Sequence, residues 1–192
     1  MKRTYTIMLG AGIMSIFAIV IAYAALSTSL TVTSNKVTQN ALTWNVALVT
    51  GTLTAATEGT SATGRSCGSA TVTATAITVA DTTLSKPGDG CVYTFTVKNS
   101  GTIAAKLGTV TPTSPSSISC TNSGASMVCG NITYKITTDA AGNTVASSSN
   151  TTVAANNGTK TLYLVVRYTG TSVNSSAVTH TGAKFTLPFN QA

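Results

Sequence analysis

From Cys91 to Lys98 the chain alternates between two kinds of side chain: Cys91, Tyr93, Phe95 and Val97 on one parity, Thr94, Thr96 and Lys98 on the other. An extended strand turns successive side chains to opposite faces. A period of two therefore demands a sheet with one face in a core and the other in water. The pattern recurs along the chain. Leu42, Trp44, Val46 and Leu48 share a face opposite Thr43, Asn45 and Ala47, and this places Trp44 in the core. Ile132, Tyr134 and Ile136 mark a further strand. Leu162, Leu164, Val166 and Tyr168 mark another, whose second face is also partly apolar through Tyr163 and Val165, so it belongs in the middle of a sheet or under a partner. Phe185, Leu187 and Phe189 close the chain, and Pro188, without an amide hydrogen, requires an edge or a bend.

Between the strands lie turn signals. Val72 and Ala74 keep one parity while Ile77 and Val79 take the other, and this slip predicts a bulge or a break into two strands. Lys86-Pro87-Gly88-Asp89-Gly90 reads as a turn, and Asn99-Ser100-Gly101 as a hairpin turn into Ile103, Ala105 and Leu107. Residues 51–69 and 112–130, rich in Ser, Thr and Gly, read as long loops, the first with room for one weak strand and the second pinned by Cys120 and Cys129. Asp139 to Asn143 reads as a hairpin turn rather than a calcium loop. No helical period follows Ala25. The expected fold is all-β, a two-sheet antiparallel sandwich of jelly-roll or immunoglobulin-like connection.

The first residues are of another kind. Lys2 and Arg3 precede an apolar run from Ile7 to Ala25 that ends in small residues at Ala22, Ala24 and Ala25. This is the three-part layout of a secretory signal, with cleavage expected between Ala24 and Ala25. Residues 4–25 also approach bilayer-spanning length, so a retained membrane anchor is the alternative. Both put the rest of the chain outside the cytoplasm. The expected organisation is residues 1–24 as signal or anchor, 25–40 as a strand with a tether, and 41–192 as the domain.

Export gives the cysteines their reading. Cys67, Cys91, Cys120 and Cys129 allow three disulfide pairings, of which the local ones, Cys67 with Cys91 and Cys120 with Cys129, are the simplest. Zinc is disfavoured, because there is no Cys-x-x-Cys pair and His180 is the only histidine.

Composition excludes more than it identifies. Only 8% of residues are charged, and the net charge of +7 comes from basic residues scattered from Lys36 to Lys184. A nucleic-acid site would gather them on one element with stacking aromatics, so no nucleic-acid partner is expected. Weak attraction to anionic cell-wall polymers is compatible with the charge. The acids Glu58, Asp81, Asp89 and Asp139 all fall in expected loops or turns. That leaves no glycosidase pair and no strand-borne acid for a Lys–Asn crosslink. His180 reads as a solvated loop residue, and no Gly-x-Ser-x-Gly elbow accompanies it. Neither an enzyme nor a cofactor is expected. Tyr163 is the better candidate for stacking on sugar, and Asn131, Asn150, Asn157 and Asn174 each begin an Asn-x-Ser/Thr triplet.

Several stretches resemble the TasA/camelysin-like surface proteins of Gram-positive bacteria. They are Ala22-Tyr23-Ala24-Ala25-Leu26-Ser27, the Trp44 strand, Leu84-Ser85-Lys86-Pro87-Gly88-Asp89, Tyr93 to Thr102, and Phe185-Thr186-Leu187. The segment from Tyr93 to Thr102 is also similar to hairpins of bacterial immunoglobulin-like surface modules. The resemblance implies a jelly-roll sandwich, export, and assembly into extracellular matrix fibres of the kind found in biofilms. The four cysteines and the scarcity of acids depart from that family.

The residues themselves offer a route to assembly. Leu26, Leu30 and Val32 line one face of a strand that cleavage would leave near the new terminus, with residues 34–40 as its tether. Donated to a neighbouring subunit, that strand would satisfy an open sheet edge and bury apolar surface worth on the order of 5–9 kcal/mol before ordering costs. Pairing within its own chain is the alternative. The leading expectation is a non-catalytic fibre or matrix subunit at the cell surface. The rival is a monomeric adhesin or glycan-binding module.

Overall fold

The computed structural model describes residues 42–59, 65–173 and 179–192, which carry eighteen β-strands and no helix. All strand pairings among them are antiparallel. The largest sheet has seven strands. Across it run Val46–Leu48, Gly90–Asn99, Gly158–Tyr168, Ile132–Thr137, Ser126–Cys129 and Thr121–Ser123. Ala56–Glu58 joins the same flank of Gly90–Asn99 as Val46–Leu48, further along the strand. A five-stranded sheet runs Thr111–Thr113, Lys184–Thr186, Ala76–Val79, Ala70–Val72, Gly51–Leu53. Two three-stranded sheets complete the fold: Thr152–Val153, Ala105–Leu107, Phe189–Gln191; and Thr179–Thr181, Asp81–Thr83, Ser66–Cys67.

The period of two decides what is buried. Tyr93, Phe95 and Val97 pack with Leu162, Leu164, Val166, Ile132, Tyr134 and Ile136 on the inner face of the large sheet. Val72, Ile77, Val79 and Phe185 of the five-stranded sheet enter the same cluster, as do Ala105, Leu107 and Val153. Each large apolar side chain withdrawn from water contributes about 1.5–3 kcal/mol, so this shared core is the main source of stability. Gly158–Tyr168 lies between Gly90–Asn99 and Ile132–Thr137, the central position that its two apolar faces predict. Asn156 and Asn157, at φ 58° and 68°, lead into it in the left-handed conformation that asparagine tolerates.

The parity slip is a break: Ala70–Val72 and Ala76–Val79 form a hairpin with Val72 opposite Ile77. Pro188 likewise marks a bend, with Lys184–Thr186 in one sheet and Phe189–Gln191 in another.

Four readings of the chain are corrected. The Gly90–Asn99 strand does not return as a hairpin into Ala105–Leu107, which lies in a separate sheet. Both flanks of Gly90–Asn99 are already taken, by Gly158–Tyr168 and by the two short strands, so no edge is left for it. The buried Asn99 instead turns the chain away, accepting from the Gly101 amide and donating to the Ile103 carbonyl. Residues 51–69 are not one loop. They supply Gly51–Leu53, Ala56–Glu58 and Ser66–Cys67 to three different sheets. The expected 112–130 loop contains the hairpin of Thr121–Ser123 with Ser126–Cys129, and Thr111–Thr113 overlaps its start.

The fourth correction is Trp44. The strand begins only at Val46, and Leu48 alone of the expected apolar set is fully buried. Leu42 and Trp44 are 73% and 42% exposed, because residues 43–45 run along the rim beside residues 100–102. Ser100 N donates to Asn45 O, and Thr102 N to Thr43 O. A Cβ at Gly101 would lie 2.4 Å from Thr43 O, so this close pairing of two backbones requires glycine.

Candidate functional site

Both local disulfides are present, Cys67–Cys91 and Cys120–Cys129, and none of the described cysteines is free. The first ties the small Ser66–Cys67 strand to the start of the long Gly90–Asn99 strand. The second closes the Thr121–Ser123 hairpin at the outer edge of the large sheet. On the chain-entropy model each restricts the unfolded chain by about 3 kcal/mol. Two disulfides fit an oxidising, extracellular environment. The other expected site residues, Ala22, Ala24 and Ala25 for cleavage and Leu26, Leu30 and Val32 for donation, lie outside the described residues, as does the apolar segment at residues 4–25.

The large sheet ends in two unlike edges. On one, Thr121–Ser123 is exposed throughout and carries neither charge nor proline. On the other, Val46–Leu48 and Ala56–Glu58 divide one flank, with Leu42, Trp44 and Val49 exposed around the point where the chain enters the domain. Sheet edges are usually blunted by lysine, proline or a covering segment. The five-stranded sheet shows such a device, Pro112 in its outermost strand.

The titratable groups are placed differently from expectation. Glu58 ends a strand and Asp81 begins one, so two acids thought to lie in loops are strand-borne. Glu58 pairs with Arg167 through Nε at 2.7 Å and Nη2 at 3.0 Å, which holds the guanidinium above its ordinary pKa. Asp81 accepts from Thr181 Oγ1 at 2.8 Å. Asp89, fully buried in its turn, accepts from the Ser85 and Lys86 amides. Asp139 closes its turn by accepting from the amides of Asn143 and Thr144, and these bonds hold its carboxyl below the usual range. Each acid is thus engaged with partners of its own.

His180 is the clearest correction. It is 3% exposed in the Thr179–Thr181 strand, with its ring stacked on Tyr134 and Nδ1 2.9 Å from the Tyr134 hydroxyl. Burial pushes its pKa down, and burial raises that of Tyr134. Tyr93 nearby is pushed up to about 12, chiefly by burial, and donates to Gly68 O at 2.7 Å. The buried Thr82 hydroxyl faces both tyrosines outside strict hydrogen-bond geometry. The sequence signal for His180 was its position between Thr179 and Thr181, the inward parity of a short strand. Nothing local announces the Glu58–Arg167 pair, whose members stand 109 residues apart.

Among the other candidates, Tyr163 is half-buried on the outer face of the large sheet. Asn131 donates to the Tyr168 hydroxyl and Asn150 to the Val145 carbonyl; Asn157 is exposed, and Asn174 lies outside the described residues. No protein-family model and no curated protein matches the chain.

Proposed function

We propose that the protein is an exported, non-catalytic structural subunit that self-associates at the cell surface, built on a two-sheet β-sandwich. The observation that carries this reading is the apolar edge of the large sheet, where Leu42, Trp44 and Val49 are exposed beside two short strands. Exposed apolar side chains along an incompletely covered edge mark a place where another strand or chain docks. The disulfides support function outside the cytoplasm. Kinship with TasA/camelysin-like fibre proteins, a jelly-roll connection and a role in a biofilm-like matrix belong to the same proposal.

Deleting residues 25–33 from the mature protein tests it. The truncated chain should stay folded and monomeric by size-exclusion chromatography, and a synthetic peptide of those residues should restore assembly. Continued polymerisation of the truncated chain would rule out strand donation.

A further inference from the structure

We infer that a hollow on the outer face of the large sheet, beneath the Asp139–Thr144 turn, binds an anionic sugar residue. It encloses about 160 Å³ and is lined by Thr133, Lys135, Asn143, Val165, Arg167 and Thr169. That volume is below the usual range for drug-sized ligands and suits a single ring. The strand register builds it: Thr133 stands opposite Arg167 and Lys135 opposite Val165 on neighbouring strands. The turn lies so close that a Cβ on Gly142 would sit 3.1 Å from both Arg167 Nη1 and Val165 Cγ1. Gly142, at φ 72°, is the residue that permits this roof.

The charges decide the ligand class. Arg167 is committed to Glu58 on one side and to the Ala141 carbonyl on the other. Asp139, the other nearby acid, is turned into its own loop by the amides of Asn143 and Thr144. Lys135 has no hydrogen bond or ion pair among the described residues. Glu58 and Asp139 balance the local charge, but Lys135 is the lining cation without a bonded partner among the described residues, and its ammonium can take a carboxylate or a phosphate.

The remaining lining is suited to a sugar. Thr133 and Thr169 hydroxyls, 2.8 Å apart, and the Asn143 amide offer donors and acceptors, with Val165 closing the floor between them. Tyr163, two residues along the same face from Val165, extends the platform toward a second ring. The net charge of +7 draws polyanions toward the molecule without defining the place they bind. This site is independent of the assembly edge.

Calorimetric titration of the mature protein at low salt tests the inference, with an oligogalacturonate, a phosphorylated mannose oligosaccharide and a neutral cello-oligosaccharide as probes. At least one anionic oligomer should bind and the neutral one should not; which one binds tells carboxylate from phosphate. Lys135→Gln should weaken that binding roughly tenfold, the loss of one charge-assisted contact, with the melting temperature unchanged. Lys106→Gln, an exposed lysine on the central strand of another sheet, should leave it intact. The inference is overturned if neither anionic oligomer outbinds the neutral one. It is equally overturned if Lys106→Gln costs as much as Lys135→Gln, since the attraction would then be diffuse.

Discussion

The two edges of the large sheet meet the same problem in different ways. At Thr121–Ser123 the hairpin is closed by Cys120–Cys129, and the side chains of its outer strand are small and polar. At the opposite edge two short strands share one flank, and Leu42, Trp44 and Val49 remain in contact with water. Covalent closure fixes one edge, where Val128 is the one large apolar side chain left exposed among the described residues of the hairpin. The other keeps apolar surface that its own described residues do not cover. Surface of that kind costs solubility when it has no partner, and the proposed association is therefore assigned to the entering edge.

The largest effect should come where the entering edge reaches the core. Leu48→Ala empties a buried position and should cost about 2–5 kcal/mol in urea unfolding. Replacing Cys120 and Cys129 together by alanine should cost about 2–3 kcal/mol, with the loss of amide-exchange protection concentrated in residues 121–129. Protection lost equally at residues 46–48 would mean the two edges are coupled rather than independent.

A smaller effect separates the edges by pH. His180 docks against Tyr134, whose cross-strand neighbour Met127 belongs to the disulfide-closed hairpin. Its folded pKa lies below the ordinary 6.5, so the folded state prefers the neutral ring. The sign follows: stability is complete above pH 6.5 and falls as the pH drops below it toward the folded value. Tyr134 and Tyr93 stay protonated throughout this window, and Asp139 titrates below it. The urea midpoint should decline as the pH is lowered below 6.5, and His180→Gln should flatten that decline. An unchanged slope in the variant would remove His180 as its cause.

How much of this was legible in the sequence depended on strand length and on separation along the chain. Gly90–Asn99 and Gly158–Tyr168 run ten and eleven residues, enough for a period of two to show, and their inward residues were read correctly. The disulfides followed from proximity in sequence. The strands between Gly51 and Cys67 have two or three residues each and change sheets between them, too short to show a period. Trp44 was misplaced because alternation continues past the point where the core ends. His180 and Tyr134, 46 residues apart, meet only through the pairing of whole sheets. The cationic hollow likewise depends on a turn folding over strands distant in sequence, which composition does not reveal.

The smallest effect on stability falls at a residue expected to matter for association. Leu42→Thr should change unfolding free energy by no more than about 0.5 kcal/mol, because the side chain is 73% exposed. Its effect should appear in assembly instead, and this leads to the most direct test. The mature protein and the triple variant Leu42→Thr, Trp44→Thr, Val49→Thr should be compared by light scattering and negative-stain microscopy across a concentration series. The account predicts concentration-dependent oligomers or fibres for the native chain and a monomer of equal melting temperature for the variant. A native chain that stays monomeric, or a variant that assembles as well, would contradict it.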